Sequence, residues 1–312
     1  MRATPKKVDK PRIVTVALDD HVVYALLVLV RSLFISRAHD FHLVIGYFPG
    51  QLQDSNIRLL EDFLAALGQS WEIRKLVPHP LFTERRHLTM TTFSKFVLSD
   101  EIPTAHLWLD IDTVARPGWD EIFPILFAVK DDVKLLVADK LESTHTRFSG
   151  FNAGVLGWTH ASREKWVGEL ENLPEKRFSS EQHLFNILYG DKTNTMDVSF
   201  NFLSSWHENA SLEYAKIVHY SGPVKPWHLA RRHQEAWRSI NASWNYWFEA
   251  EAEMLIWLRS QALNRPVQEQ KRRALLSGRL HTGKGSLAAW VLRTLVVLGP
   301  LGDPLVKLIT RR

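Results

Sequence analysis

The chain has 312 residues, 45% of them hydrophobic and 23% charged, with a net charge of +5. That length suits one large domain, or a domain with an appendage, and the composition is that of a soluble globular chain. There is no cysteine, which excludes disulfides, zinc–thiolate sites and cysteine nucleophiles and fits a reducing, cytoplasmic setting. The charge is unevenly placed. From Glu251 onward eleven Lys and Arg face four Asp and Glu, giving +7 against −2 for the rest. Such a bias points to an anionic partner surface at the C-terminal end.

The N-terminal segment is basic and polar and lacks the cationic flank, apolar core and small-residue cleavage site of a secretion signal. The β-branched run at 13–18 predicts a first strand, and 22–36 a helix whose apolar stretch is too short to span a bilayer. Residues 41–47 predict a second strand. The spacing of Ile57, Leu59, Leu60, Phe63, Leu64 and Leu67 predicts a helix over 55–67, and 71–76 a third strand. A helix beginning at 91–98 leads to a strand at 105–110, and 134–138 predicts a further strand. Strands alternating with helices imply parallel βαβ units, with helices on both faces of one sheet. From residue 249 the pattern becomes helical, then basic, then apolar and basic again.

The strand at 105–110 ends in Asp110-Ile111-Asp112. Open α/β sheets place ligands at the C-terminal ends of their strands, and two carboxylates there need a positive partner. A divalent metal holding a diphosphate is the obvious one. Asp19 and Asp20 follow the first strand, where acidic groups either accept hydrogen bonds from a base or ribose or cap the next helix. Lys95 sits on the helix preceding the Asp-x-Asp strand, a candidate partner for donor phosphate or for the carboxylates, or a solvated lysine. Phe151-Asn152-Ala153-Gly154 offers a bidentate amide and a glycine that permits close approach, or a tight turn entering a strand. His219-Tyr220-Ser221-Gly222-Pro223-Val224-Lys225-Pro226-Trp227 places an imidazole and a proline-constrained lysine close together. One nitrogen added to an oxygen-rich set suits Mn²⁺ or Mg²⁺. The Gly278 to Lys284 spacing imitates a phosphate-binding loop, but Gly285 follows where Ser or Thr would bind magnesium, so that reading fails.

In this order, with Ser180-Glu181-Gln182 between them, these segments resemble glycosyltransferase family 8, the retaining enzymes related to bacterial lipopolysaccharide galactosyl- and glucosyltransferases and to glycogenin. The resemblance runs over roughly residues 13 to 230. It implies an α/β GT-A fold, a Rossmann-like nucleotide-binding mixed sheet with flanking helices, together with a UDP-hexose donor and Mn²⁺ (or Mg²⁺). It makes Asp110, Asp112 and His219 the metal ligands. Asp19, with Ala17 beside it, would face the uracil, and Lys225 in the loop containing Gly222 would contact the diphosphate. His87 matches a donor-contacting position. Lys95, Asp139, Asn152, Gly154 and Gln182 match positions around the donor sugar, with Gln182 under the anomeric carbon and Glu181 and Asp139 as nearby carboxylates. Two departures stand out: the usual Asp-Gln-Asp reads Glu181-Gln182-His183, and the Asn or Tyr after the first acidic pair is replaced by His21 and Val22.

These readings divide the chain into a GT-A domain at 1–250 and a basic, amphipathic helical extension at 251–312. The extension is expected either to lie on an anionic membrane surface or to pack on the domain. The expected partners are a UDP-sugar and a saccharide or glycolipid acceptor. A nucleic-acid binder would have no use for the Asp-x-Asp and its distant His-Lys-Trp segment, so no nucleic-acid partner is expected. A nucleotidyltransferase should carry a glycine-rich basic loop where Asp19-Asp20 stands.

Overall fold

The computed structural model describes residues 10–80, 82, 90–130, 132–138, 150–159, 181–204, 212–221, 225–228 and 242–282. Its centre is one sheet. Strands β1 (Ile13–Ala17), β2 (His42–Tyr47), β3 (Ser70–Lys75) and β4 (His106–Leu109) run parallel in the spatial order β3-β2-β1-β4. Helix α1 (Val23–Ser36) joins β1 to β2, α2 (Asp54–Leu67) joins β2 to β3, and α3 (Met90–Glu101) precedes β4. The alternating pattern in the sequence therefore reads through to the first half of the fold. Val14, Val16, Leu107 and Leu109 are fully buried, the reason these strands appear as short apolar runs.

Beyond β4 the sheet departs from parallel alternation. After β5 (Thr113–Ala115) and α4 (Ile122–Phe127) come β6 (Leu135–Ala138) and β7 (Val155–Trp158), and β7 pairs antiparallel with both β4 and β6. Helix α5 (Glu181–Tyr189) leads to β8 (Thr193–Met196), which is parallel to β6 and closes a seven-stranded mixed sheet. The mixed sheet agrees with the family resemblance and corrects the purely parallel reading of the pattern. The cause is physical: a strand buried on both faces is apolar whichever way it runs, so Val155-Leu156-Gly157-Trp158 carries no mark of its direction. A second sheet, β5 with β10 (Ile217–His219) and β9 (Phe202–Leu203), was not foreseen, because strands of two or three residues are shorter than any periodicity.

Helix α1 is buried along the whole of Val23 to Leu33, and it packs on β5, α2, α6 (Trp244–Leu258) and α7 (Asn264–Thr282). A helix covered on all sides needs no polar face, which explains its unbroken apolar run. The tie between α1 and the C-terminal helices is partly polar. Tyr24 donates its hydroxyl to Glu251 Oε1 at 2.6 Å, and Lys271 Nζ lies 3.1 Å from the same oxygen. Burial, followed by the neighbouring Glu251 carboxylate, pushes the Tyr24 phenol well above its ordinary pKa. Arg31 stacks over Trp257 at 4.8 Å. Helices α6 and α7 thus pack on α1. Among the described residues no helix is long and apolar enough to cross a membrane. The apolar-basic stretch at 287–298 lies outside them.

Replacing Glu251 with Ala leaves a buried hydroxyl and a half-buried ammonium without their shared acceptor. The expected loss is about 2–4 kcal/mol in urea denaturation. Glu251→Gln, which keeps an acceptor for Tyr24, should lose clearly less.

Candidate active site

The site forms where two strands from different sheets end side by side. Asp110 directly follows β4, and its N–H donates to the Gly154 carbonyl at 2.7 Å. The turn from Asp110 to Thr113 is closed by Thr113 Oγ1 donating to the Asp110 carbonyl at 2.8 Å, which leads into β5. On β10, His219 pairs with Thr113 across the antiparallel ladder, and the Tyr220 N–H donates to the Asp112 carbonyl at 2.8 Å. The ladder therefore fixes Asp112 and His219 as neighbours although 107 positions separate them. Ligand atoms of Asp110, Asp112 and His219 all lie within 4.8 Å of one another. Behind them the Tyr220 ring lies edge-on to Trp244 and Trp247, and its hydroxyl donates to the Ser243 carbonyl at 2.8 Å, so α6 holds the end of β10 in place.

Two lysines grip the two carboxylates. Lys95 is 2% exposed, and its Nζ lies 3.0 Å from Asp110 Oδ1, donates to the Ala153 carbonyl at 2.9 Å and sits 5.3 Å above the Trp108 ring. The Trp108 indole N–H also donates to Asp110 Oδ1, at 2.9 Å. Lys225 Nζ pairs with Asp112 Oδ2 and donates to the Tyr220 carbonyl at 2.9 Å, while His219 Nε2 lies 3.2 Å from Asp112 Oδ1. Burial would raise the Asp112 carboxyl, but Lys225 and then His219 outweigh it and hold this group well below the usual carboxylate range.

One backbone donor sets the orientation of the side-chain amides around these charges. The Gly154 N–H donates to Asn152 Oδ1 at 2.9 Å. Asn201 can then offer that oxygen only its Nδ2, 3.0 Å away, which leaves Asn201 Oδ1 facing His219 Nδ1 at 3.1 Å. The imidazole must donate from Nδ1, which leaves Nε2 for Asp112: as an imidazolium it donates to that carboxylate, and in its neutral form it can offer a lone pair to a cation. In the other direction, Asn152 Nδ2 donates to Gln182 Oε1 at 2.9 Å and so fixes which way that amide turns. Two carboxylates and one oriented imidazole fit Mn²⁺ or Mg²⁺. The imidazole can sit here only beside a glycine: a Cβ on Gly154 would lie 2.1 Å from His219 Cε1.

Of the residues singled out in the sequence, Lys95, Asp110, Asp112, Asn152, Gly154, Gln182, His219 and Lys225 are thus linked by direct contacts. Ala17 and Asp19 stand at the end of β1, where Asp19 Oδ1 accepts from the His21 N–H at 2.9 Å. His87, Asp139 and Gly222 lie outside the described residues, as does the Glu181 side chain, although Glu181 begins α5. Lys225 pairs with a carboxylate here, where the sequence suggested a phosphate, and Lys95 takes the carboxylate alternative of its two. Asn201 and the Trp108 indole were missed. Trp108 counted as one more apolar strand residue, and Asn201 ends a single 3-10 turn, Val198–Asn201, with no neighbouring motif.

The fold and this cluster define a GT-A glycosyltransferase-like class, and comparison with known proteins agrees. Glycosyl transferase family 8 matches residues 13–230, and the chain belongs to that family. It is 24% identical over 193 residues to glycosyltransferase GlyB of Streptococcus pneumoniae serotype 4, covering 54% of this chain and 46% of that protein. The chain thus spans about half the length of that relative. It is 24% identical over 247 residues to the lipopolysaccharide 1,3-galactosyltransferase of Salmonella typhimurium, covering 68% and 71% of the two chains. Among solved structures, galactosyltransferase LgtC in complex with donor and acceptor sugar analogs superposes with a TM-score of 0.57 at 19% identity, over 77% of this chain and 95% of that one. Apo GlyE from S. pneumoniae gives 0.59 at 19% identity, over 82% and 64%.

Gly154→Ala should force the His219 ring out of its place. A fall of about 10–100-fold in divalent-metal affinity is expected, the range for disturbing the support of a ligand, measured by calorimetric titration with Mn²⁺.

Proposed function

We propose that the protein is a retaining hexosyltransferase that moves galactose or glucose from a UDP-sugar to a saccharide acceptor, lipid-linked or part of a lipopolysaccharide. The observation that carries this reading is the Asp110–Asp112–His219 cluster with Lys225 paired to Asp112. Family membership and the likeness to a galactosyltransferase and a lipopolysaccharide enzyme support it. Asp110, Asp112 and His219 would hold Mn²⁺ (or Mg²⁺), which supplies charge for the departing diphosphate. A nucleotidyltransferase is the other reading, and Asp19-Asp20 in place of a glycine-rich basic loop after β1 speaks against it. A silent sugar-nucleotide binder would have no need for the complete ligand set.

Breaking a sugar–phosphate bond builds negative charge on the leaving group and positive charge at the anomeric carbon. Lys225 sits on a short turn closed by the His228 N–H donating to the Lys225 carbonyl at 3.0 Å, so its ammonium is held close to the cluster. In this reading it releases Asp112 and takes the diphosphate, placing a fixed cation where charge develops. Gln182, with Oε1 occupied by Asn152, would turn its amide N–H towards the sugar. A neutral amide is a poor nucleophile, so retention is assigned to same-face departure and attack, with the leaving phosphate taking the acceptor proton. Positioning the acceptor hydroxyl then supplies much of the acceleration. A trapped glycosyl adduct on Glu181 or Asp139 would contradict that assignment.

Hydrolysis of UDP-galactose and UDP-glucose should require Mn²⁺ or Mg²⁺ and drop at least about 100-fold in Asp110→Ala. Metal-independent turnover, or full activity in the variant, would count against the reading. The basic C-terminal segment supports peripheral attachment to an anionic, cytoplasm-facing membrane where a lipid-linked acceptor would lie. Because α6 and α7 pack on α1, the informative truncation removes residues 283–312 alone. It should leave donor hydrolysis intact and abolish co-sedimentation with anionic vesicles. Undiminished vesicle binding would defeat the membrane role.

A further inference from the structure

Asp20 stands next to the residue proposed to face the uracil, yet its own carboxylate is committed elsewhere. Its Oδ1 accepts from the Gln53 N–H at 2.9 Å and from Asn56 Nδ2 at 2.7 Å. Asn56 Oδ1 in turn accepts from Gln270 Nε2 at 2.7 Å. Asn56 is 3% and Gln270 7% exposed, so neither is placed to touch a ligand. The relay has a fixed polarity. A carboxylate can only accept, so Asn56 must turn its Nδ2 to Asp20, and its remaining oxygen obliges Gln270 to donate. It joins the loop after β1 to the start of α2 and then to the middle of α7, 214 positions further along the chain. The same loop is tied to α3, because the Asp20 N–H donates to the Gln51 carbonyl at 2.9 Å and Gln51 Oε1 accepts from Thr91 Oγ1 at 3.0 Å. Helix α7 also packs against the Pro226–His228 turn beside Lys225.

We propose that Gln270, acting through Asn56 and Asp20, is a positioning residue for the nucleotide base, and that α7 is part of the donor site. The proposal rests on the reading of Asp19 as the uracil contact. With Asp20 held, the loop that carries Asp19 is fixed, and in this reading the Asp19 carboxylate is kept where it can accept from the N3–H of uracil. Cytosine has a lone pair at that position and is repelled by the same carboxylate. Losing the relay frees the loop, weakens uracil recognition and narrows discrimination against cytosine, while the diphosphate end is left alone.

The test uses the full chain with Mn²⁺ and titrates UDP, CDP and inorganic pyrophosphate into wild type, Gln270→Met and Asn56→Asp. The first variant deletes the donor to Asn56, and the second sets one carboxylate against another. Each is expected to bind UDP about tenfold more weakly, the scale of one lost hydrogen bond to a charged group. Pyrophosphate affinity should stay unchanged, the preference for UDP over CDP should shrink, and kcat at saturating UDP-sugar should change less than about twofold. A folded Gln270→Met protein with wild-type UDP affinity overturns the relay. Equal weakening of UDP and pyrophosphate also overturns it, because that is general disruption and not base positioning. A wild-type protein that binds pyrophosphate but shows no preference for UDP over CDP overturns the uracil reading itself, and the relay with it.

Discussion

The Gly154 N–H that donates to Asn152 Oδ1 determines more of this site than any charged group does. A backbone donor cannot change its role, so each amide after it must turn one way. Asn201 presents its oxygen to His219, and the imidazole carries its proton on Nδ1 and keeps Nε2 for the carboxylates. Gln182 is turned by the same donor in the other direction. The glycine has a second part in this arrangement, since any larger residue there would occupy the space of the His219 ring. Ring position and tautomer are thus both set by one residue at the entry to β7.

The charges tell a complementary story. Two carboxylates and two lysines meet at the ends of β4 and β10 with Lys95 almost wholly buried. Taking such groups from water is costly, and mutual pairing offsets that cost. The pairing is asymmetric. Lys95 is held by a backbone carbonyl, a carboxylate and two aromatic rings, so it behaves as a fixed part of the frame. Lys225 also has a carboxylate and a backbone carbonyl, but its side chain is 21% exposed, and in the proposed function it is the cation that changes partners when a diphosphate arrives.

Much of this was legible in the chain itself. The strand and helix runs up to β4 read directly, because a doubly covered sheet leaves continuous apolar segments. Asp110, Asp112, His219 and Lys225 stand out in the sequence as candidates through residue type and local constraint, and the family resemblance joins them into one expected set. What could not be read has specific causes. Strand direction leaves no trace in β7. The sheet that joins Asp112 to His219 is made of strands too short to show a period. Asn201, Asn56 and Gln270 act only through partners far away in sequence, and a lone amide in a 3-10 turn or on a helix looks like any other polar residue. The contacts of the C-terminal helices are equally hidden: Trp244, Trp247 and Glu251, which touch Tyr220 and Tyr24, are visible as anchors only once the fold is known.

In the proposed function Asp110, Asp112 and His219 form a metal–diphosphate clamp in which metal and leaving group are held together. Electron paramagnetic resonance of free and bound Mn²⁺, in the presence of UDP or of UMP, addresses it directly. Mn²⁺ should bind at least about tenfold tighter with UDP than with UMP, because only UDP offers a diphosphate to the cluster and to Lys225. Equal Mn²⁺ affinity with UDP, with UMP and with no nucleotide would contradict it.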